Sequence, residues 1–334
     1  MGLRLLAFPR PSSRCAPSAP QSRPGGPMTG LIDVHSHFLL PEYVAAAERA
    51  GHLRPDGMPG WPEWSVRKQL DLMDQNEIAT ALLSVSSPGV HFGDDFRAQV
   101  LARRMNEAAA ELGRDHPGRF GSFASLPLPD VEGALVELNY AYDVLHADGV
   151  VLMSNAGGQY PGEPSWEPLW QALNDRSAVV LLHPTSPPQW RQVSLDRPRP
   201  MIEFVFDSAR AVTDLALTGV FARYLGIRFI VSPAGALPMI ADRLDLFQST
   251  FTPPSGGLPS VASQLHTLWY DAAGAPPPDS ADRLVFGSGY CFTPTDAVSR
   301  QIASLDVAVP GWREHANTNA SELISARAHS RART

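Results

Sequence analysis

Lysine is almost missing from this chain. Lys68 stands alone among 27 basic residues, so arginine carries nearly all the positive charge, a pattern that reads as codon bias and not as function. Two cysteines, Cys15 and Cys291, exclude a disulfide framework, which fits a reducing compartment and a cytoplasmic protein. No apolar run approaches the ~20 residues that span a bilayer, so no membrane anchor is expected. Acid is missing from both ends: residues 1–30 hold Arg4, Arg10, Arg14 and Arg23, and the tail after Glu322 holds Arg327, Arg331 and Arg333. With a net charge of −7 overall, the body between them is more acidic still. That balance speaks against nucleic acid or an anionic membrane surface as a partner. The leader is rich in Pro, Ser, Arg and Gly and lacks the apolar core of a secretion signal. It is expected to be disordered, as a transit-type leader or as a misplaced start ahead of Met28. The expected division is therefore 1–30 leader, 31–323 folded body and 324–334 basic, disordered tail.

What is present is a globular composition, with 44% hydrophobic and 18% charged residues over 334 positions. Short apolar runs alternate with helical patterns. Strands are predicted at 31–34, 80–85, 120–125, 149–153, 178–182, 227–231, 268–270 and 284–286. Helices are predicted at 63–75, 94–114, 130–145, 165–175, 201–218 and 237–247, with two more at 295–305 and 312–324. Asp130 stands ready as an N-cap. Eight βα repeats predict a (β/α)₈ barrel, with a doubly wound open sheet as the competing topology. The unit between strands seven and eight is abnormal. Residues 271–283 contain Pro276, Pro277 and Pro278, and proline in a helix interior removes a donor and clashes with the preceding turn. The outer helix there is expected to be missing. Its flank should be exposed, or covered by the C-terminal helices or a partner subunit.

His35 and His37 flank Ser36 at the end of the first strand. Alternate strand residues face the same side, so both imidazoles can point into the barrel mouth. His183 ends the fifth strand, directly before Pro184. Imidazole is a good ligand for zinc and similar metals. Functional residues of such barrels cluster at the C-terminal ends of the strands. Three histidines at those ends outweigh the reading of each as an ordinary hydrogen-bonded side chain.

The stretches Asp-Val-His-Ser-His-Phe (33–38), Ser-Ser-Pro-Gly-Val-His-Phe-Gly-Asp (86–94), Gly-Val-Val-Leu-Met-Ser-Asn (149–155), Val-Val-Leu-Leu-His-Pro-Thr (179–185) and Leu-Val-Phe-Gly-Ser (284–288), in this order, resemble the amidohydrolase superfamily. The nearest branch is the amidohydrolase-2 group, which includes aminocarboxymuconate semialdehyde decarboxylase and the resorcylate decarboxylases. The resemblance runs from about Leu31 to Leu323. It implies a distorted TIM barrel and a zinc- or manganese-dependent carboxy-lyase or hydrolase acting on a small organic acid or cyclic substrate. It matches His35, His37 and His183 to metal ligands, with zinc the first expectation and manganese the second. It also implies a histidine after strand six and an aspartate after strand eight. Here Ser232-Pro233-Ala234-Gly235-Ala236 and Gly287-Ser288-Gly289-Tyr290-Cys291 stand instead, so Pro233 and Gly289 occupy those places or near them.

Proline offers no side-chain base and glycine no side chain, while positioned acid–base catalysis contributes ~10²–10⁴-fold. Activity is therefore expected to be impaired unless another group substitutes. His91, after strand two, is the candidate catalytic residue. Asp271 and Cys291 are further candidates, Cys291 as a thiolate ligand against its commoner role as a small buried hydrophobe. Asn155 and Tyr160 are candidate substrate contacts, and Trp61, Trp64, Trp166 and Trp190 could line the mouth. The expected partner is a small molecule, with a homodimer left open. The rival reading is a catalytically degenerate barrel that binds a ligand or an active paralogue, and a third is a decayed gene.

Overall fold

The structure, a computed structural model, describes residues 30–233, 235–251, 258–272 and 281–331, except for the side chains of 281 and 325–331. The leader to residue 29 and the three prolines at 276–278 lie outside the described residues.

Eight strands pair in sequence order, every pair parallel: β1 (Leu31–His37), β2 (Ile78–Ser84), β3 (Phe120–Ser125), β4 (Gly149–Met153), β5 (Val179–His183), β6 (Arg228–Val231), β7 (Trp269–Asp271) and β8 (Leu284–Val285). A parallel bridge between Asp33 and Phe286 joins the last strand to the first, with the Val34 amide donating to the Phe286 carbonyl at 2.8 Å. The sheet is a barrel, not an open doubly wound sheet. Around it run α1 (Pro41–Arg49), α2 (Val66–Gln75), α3 (Asp95–Asp115), α4 (Val131–Asp143), α5 (Glu167–Asp175), α6 (Trp190–Val193), α7 (Glu203–Leu217), α8 (Val220–Arg223), α9 (Leu237–Phe251), α10 (Val261–Leu265), α11 (Thr295–Ala308) and α12 (Trp312–Arg331).

Helices α2, α3 and α4 begin where the sequence offers an oxygen for an orphan amide. Ser65 accepts from the Lys68 amide, Asp94 from that of Arg97, and Asp130 from that of Gly133. Helix α1 was not predicted. Its nine residues, three of them consecutive alanines, bury only Tyr43 and Ala47, a stripe too short to stand out. β1 is longer than its predicted core. It extends through both histidines, with irregular pairing to β2 between Asp33 and Ser36.

One core cluster draws Ile32, Val34, Leu82, Phe123, Val151, Val179, Leu181, Ile230 and Val285 from seven of the strands, together with Ala320 and Leu323 of α12. Residues from that many strands meet only inside the barrel. The contribution of α12 places that helix across one end. Asn317 makes the same point: its Oδ1 accepts the Ile32 amide at 2.9 Å and its Nδ2 donates to the Gly30 carbonyl at 2.7 Å, both where β1 begins. α12 thus closes the barrel floor and leaves the strand C-termini as the mouth.

Between β7 and β8, the described residues hold only the single 3₁₀ turn Ala281–Arg283. α12 covers this flank. Trp312 packs on Phe286 with ring centroids 5.7 Å apart, and the Asn319 amide donates to the carbonyls of Asp282 and Leu284. The backbone of α12 stays helical to Arg331, past residue 323.

Candidate metal centre

β1 and β5 are not neighbours in the sheet, yet a barrel brings their C-terminal ends to one mouth. His35, His37 and His183 meet there, each buried. The Nε2 atoms of His35 and His37 lie 2.9 Å apart, and those of His183 and His37 lie 3.1 Å apart. The ring centroids are separated by 4.7–4.9 Å and the planes are nearly perpendicular.

The far nitrogen of each ring settles its tautomer, because each faces an oxygen that can accept. His183 Nδ1 lies 2.7 Å from the Pro184 carbonyl, His37 Nδ1 lies 3.3 Å from the Ser84 carbonyl, and His35 Nδ1 lies 2.5 Å from Asp271 Oδ2. With the protons on Nδ1, all three Nε2 atoms turn bare lone pairs toward one another. Burial and the neighbouring imidazoles hold His37 and His183 well below the ordinary histidine pKa, so both rings are neutral. Three imidazoles whose Nε2 atoms converge, all within 4.8 Å of one another, fit a shared cation, with Nδ1–H anchored to oxygen as metal-binding histidines are.

Around this cluster sit side chains that hold it in place. Ser232, at the end of β6, donates its hydroxyl to Asp271 Oδ2 at 2.7 Å and lies 3.0 Å from His35 Nδ1. Asp271 ends β7, so the ends of β1, β6 and β7 are locked together. Ser84 Oγ lies 3.2 Å from His37 Nδ1. Phe292 and Phe204 set apolar edges against His37 and His183. Asp33 is fully buried and accepts the amides of His35 and Ser288 on Oδ1. Burial pushes its pKa up to about 7.

Gly289 stands at this mouth. Its amide donates to the His35 carbonyl at 2.8 Å, and the His37 amide donates to the Tyr290 carbonyl. Its φ is +64°, and a Cβ there would come within 2.7 Å of Thr293 Oγ1. A side chain at 289 therefore meets both backbone strain and a crowded hydroxyl. Pro233 follows Ser232, and it is the serine that reaches the cluster.

The other candidates are dispersed. A cavity of about 870 Å³ opens at the same end of the barrel, lined by the ends of β3 and β4 and the loops after α1, β2 and β5, and it includes His91, Asn155, Thr185 and Trp190 but none of the three imidazoles. His91 is half-buried, with Nε2 2.8 Å from Asp95 Oδ1 and Nδ1 accepting the Gly93 amide. Asn155 donates to Asp207 Oδ2 and to the Ser186 carbonyl. The Tyr160 hydroxyl donates to Asp207 Oδ1 at 2.5 Å, and with burial this pushes its pKa up to about 12. Ser154 and Arg210 complete the shell of donors around Asp207, which ties β4 to α7. Cys291 is buried in the apolar cluster between the barrel and its helices, and burial pushes its thiol up to about 12. Trp166 is core, and Trp61 and Trp64 pack partly buried against the second apolar cluster. Sequence reasoning missed Ser232 and Ser84. Their signal was the one that found the histidines, a polar residue at the C-terminal end of a barrel strand.

Residues 32–314 match the family model described as amidohydrolase. The chain belongs to the amidohydrolase family. It is 34% identical over 290 residues to a 6-methylsalicylic acid decarboxylase of Penicillium expansum, covering 80% of this chain and 87% of that one. It is 30% identical over 236 residues to a gamma-resorcylate decarboxylase of Rhizobium sp., covering 65% and 71%. Among solved structures, an amidohydrolase II superposes with a TM-score of 0.80 at 30% identity, covering 88% of this chain and 99% of its own. A dihydroxybenzoic acid decarboxylase from Polaromonas sp. JS666, solved with manganese and 2-nitroresorcinol, gives 0.74 at 22% identity over 91% and 99% and shares the fold.

Proposed function

We propose that this amidohydrolase is a metal-dependent carboxy-lyase that removes CO₂ from an aromatic carboxylic acid, with His35, His37 and His183 as the metal ligands. The observation that carries the reading is the convergence of three bare Nε2 lone pairs at the barrel mouth. Lyase chemistry is preferred to hydrolysis because relatives at 34% and 30% identity act on hydroxylated benzoic acids. Zinc suits three imidazoles and manganese is the alternative. When bound, such an ion supplies Lewis-acid polarisation of a substrate oxygen.

The chain's own residues then have defined tasks. Asp271 and Ser232 fix the ring of His35, and the Ser84 and Pro184 carbonyls fix the other two. Phe204 and Phe292 keep water from the flanks of His183 and His37. Loss of CO₂ leaves the electron pair of the broken C–C bond on the ring carbon, which must take a proton. His91 is the proposed donor because it lines the cavity. Its contact with Asp95 is exposed and worth little, so turning the ring inward costs little. Asn155 lines the same cavity and Tyr160 anchors its support through Asp207, the proposed substrate-side roles of both.

A second reading rests on Pro233 and Gly289, which supply neither of the groups the resemblance implies. In it the barrel keeps ion and ligand but has lost turnover. Incubating metal-loaded protein with 2,6-dihydroxybenzoate and with 6-methylsalicylate, and measuring CO₂ release, separates the two. The lyase reading expects release above background and a fall of about 10²-fold or more in kcat for His91→Gln, with metal content unchanged. Binding of both acids with no release would support the second reading.

A further inference from the structure

The cavity at the barrel mouth has a positively charged wall that the reading above leaves unused. Arg54, Arg191 and Arg199 line it against a single acid, Asp56. That acid is already committed, since its Oδ1 accepts the Ser186 hydroxyl at 2.5 Å. The Ser186 oxygen in turn accepts Arg199 Nε–H at 2.9 Å. The Arg199 guanidinium lies 4.0 Å from the centroid of the Trp190 ring, and that of Arg191 lies 4.5 Å from the same ring. Gly57, with φ +77°, leaves the room: a Cβ there would come within 2.7 Å of Arg199 Nη1.

Arg199 is thus held by its Nε and by its face while both Nη groups remain without a hydrogen-bond partner among the described residues. The side chain is half-buried. The Asp56 and Glu203 carboxylates act on Arg199 from nearby, but neither hydrogen-bonds its fork among the described residues, so a carboxylate entering the cavity can. A planar fork matches a carboxylate bidentately. Ser186, which orients Arg199, lies three residues after His183. Ser186 therefore lies on the loop that leaves the C-terminal end of β5, which puts Arg199 at the same end of the barrel as the imidazoles. The cavity, at about 870 Å³, is toward the large end of ordinary ligand pockets, so a single-ring monoacid would leave much of it empty.

We propose that Arg199, with Arg191 beside it, forms a carboxylate subsite, so that the substrate is an aromatic acid carrying a second carboxylate besides the group that is lost. This rests on the decarboxylase reading for the identity of the lost group, but not for the subsite itself.

The test is calorimetric titration of the zinc-loaded full chain with benzene-1,3-dicarboxylate and with benzoate. The expected result is a Kd at least tenfold lower for the dicarboxylate. Arg199→Gln should reduce that preference to within threefold of unity, and Arg199→Lys should restore only part of it, because an ammonium keeps the charge but not the fork. Equal Kd values in the wild type, or an undiminished preference in Arg199→Gln, would overturn the proposal. Should Arg199→Gln fail to fold, Arg191→Gln serves instead: it is exposed and makes no ion pair among the described residues, so its substitution spares the fold. A preference weakened at least threefold supports the subsite, and an unchanged one contradicts it. Because the titration reads binding and not CO₂ release, loss of the subsite and loss of the lyase reading are separate results.

Discussion

His35 is the residue whose surroundings decide most. Its Nδ1 meets a carboxylate and a hydroxyl that come from β7 and β6, more than 190 residues away in sequence. A carboxylate accepting Nδ1–H fixes the ring orientation and makes Nε2 a better donor. Replacing Asp271 by Asn keeps the shape and removes the charge. It should weaken metal affinity about 10–100-fold, read by competition against a calibrated chelator. Unchanged affinity would show that Asp271 is only structural. The charge on Asp271 also makes the local arrangement self-consistent without the family's strand-eight aspartate, since the Gly287–Gly289 turn packs directly against the Asp271 carboxylate and the β1 backbone. Asn155 and Tyr160 were visible in sequence only as polar loop residues. The Asp207 carboxylate they share depends on α7 docking beside β4, which no local pattern announces.

At the scale of elements, the strands were legible because each is a short, fully buried run, and the barrel followed from their number. The bounds of β1 were less so, since its polar residues at 33, 35, 36 and 37 are buried for the sake of the site. α12 is the element whose role the sequence under-reported. Its mean hydropathy is low, and its buried face is spread over Trp312, Ala316, Ala320 and Leu323 at helical spacing. Leu323 sits in the barrel floor, so Leu323→Ala should cost about 2–5 kcal/mol in denaturant unfolding. A cost below 1 kcal/mol would show that the floor is formed by something else. The turn into α12 is pinned by Asp306, which accepts from Arg313 and from the Trp312 indole. These bonds hold its pKa down to about 2, below the usual 3.8. A carboxylate with a depressed folded pKa contributes stability at pH values above its unfolded pKa and loses it as pH falls through the folded one. Asp306→Asn should therefore lower the unfolding free energy at pH 7 only slightly, by about a few tenths of a kcal/mol, because the pair is largely solvent-exposed. The gap to the wild type should close between about pH 4 and pH 2, and a gap that persists at pH 2 would point to a packing defect instead.

For the whole molecule, the C-terminal helix does the covering that the β7–β8 connection leaves undone. That frees the opposite end to hold a polar cluster and a cationic cavity. The acidic body and the positively charged cavity wall are both products of arginine placement, and only the folded chain separates them. Function enters at the mouth, where the ends of β1, β5, β6 and β7 bring together three imidazoles, a hydroxyl and a carboxylate. Sequence alone found the imidazoles from their strand-end positions. It could not find what orients them, because those contacts join strands far apart in the chain.

The central claim is that His35, His37 and His183 share one ion. It is tested by elemental analysis of protein expressed in medium supplied with zinc and manganese and purified without chelator. The account predicts about one equivalent of metal per chain in the wild type and less than a tenth of that in His183→Ala, with the variant still folded by circular dichroism. A wild-type chain carrying no metal, or a folded His183→Ala chain that keeps its full equivalent, would contradict it.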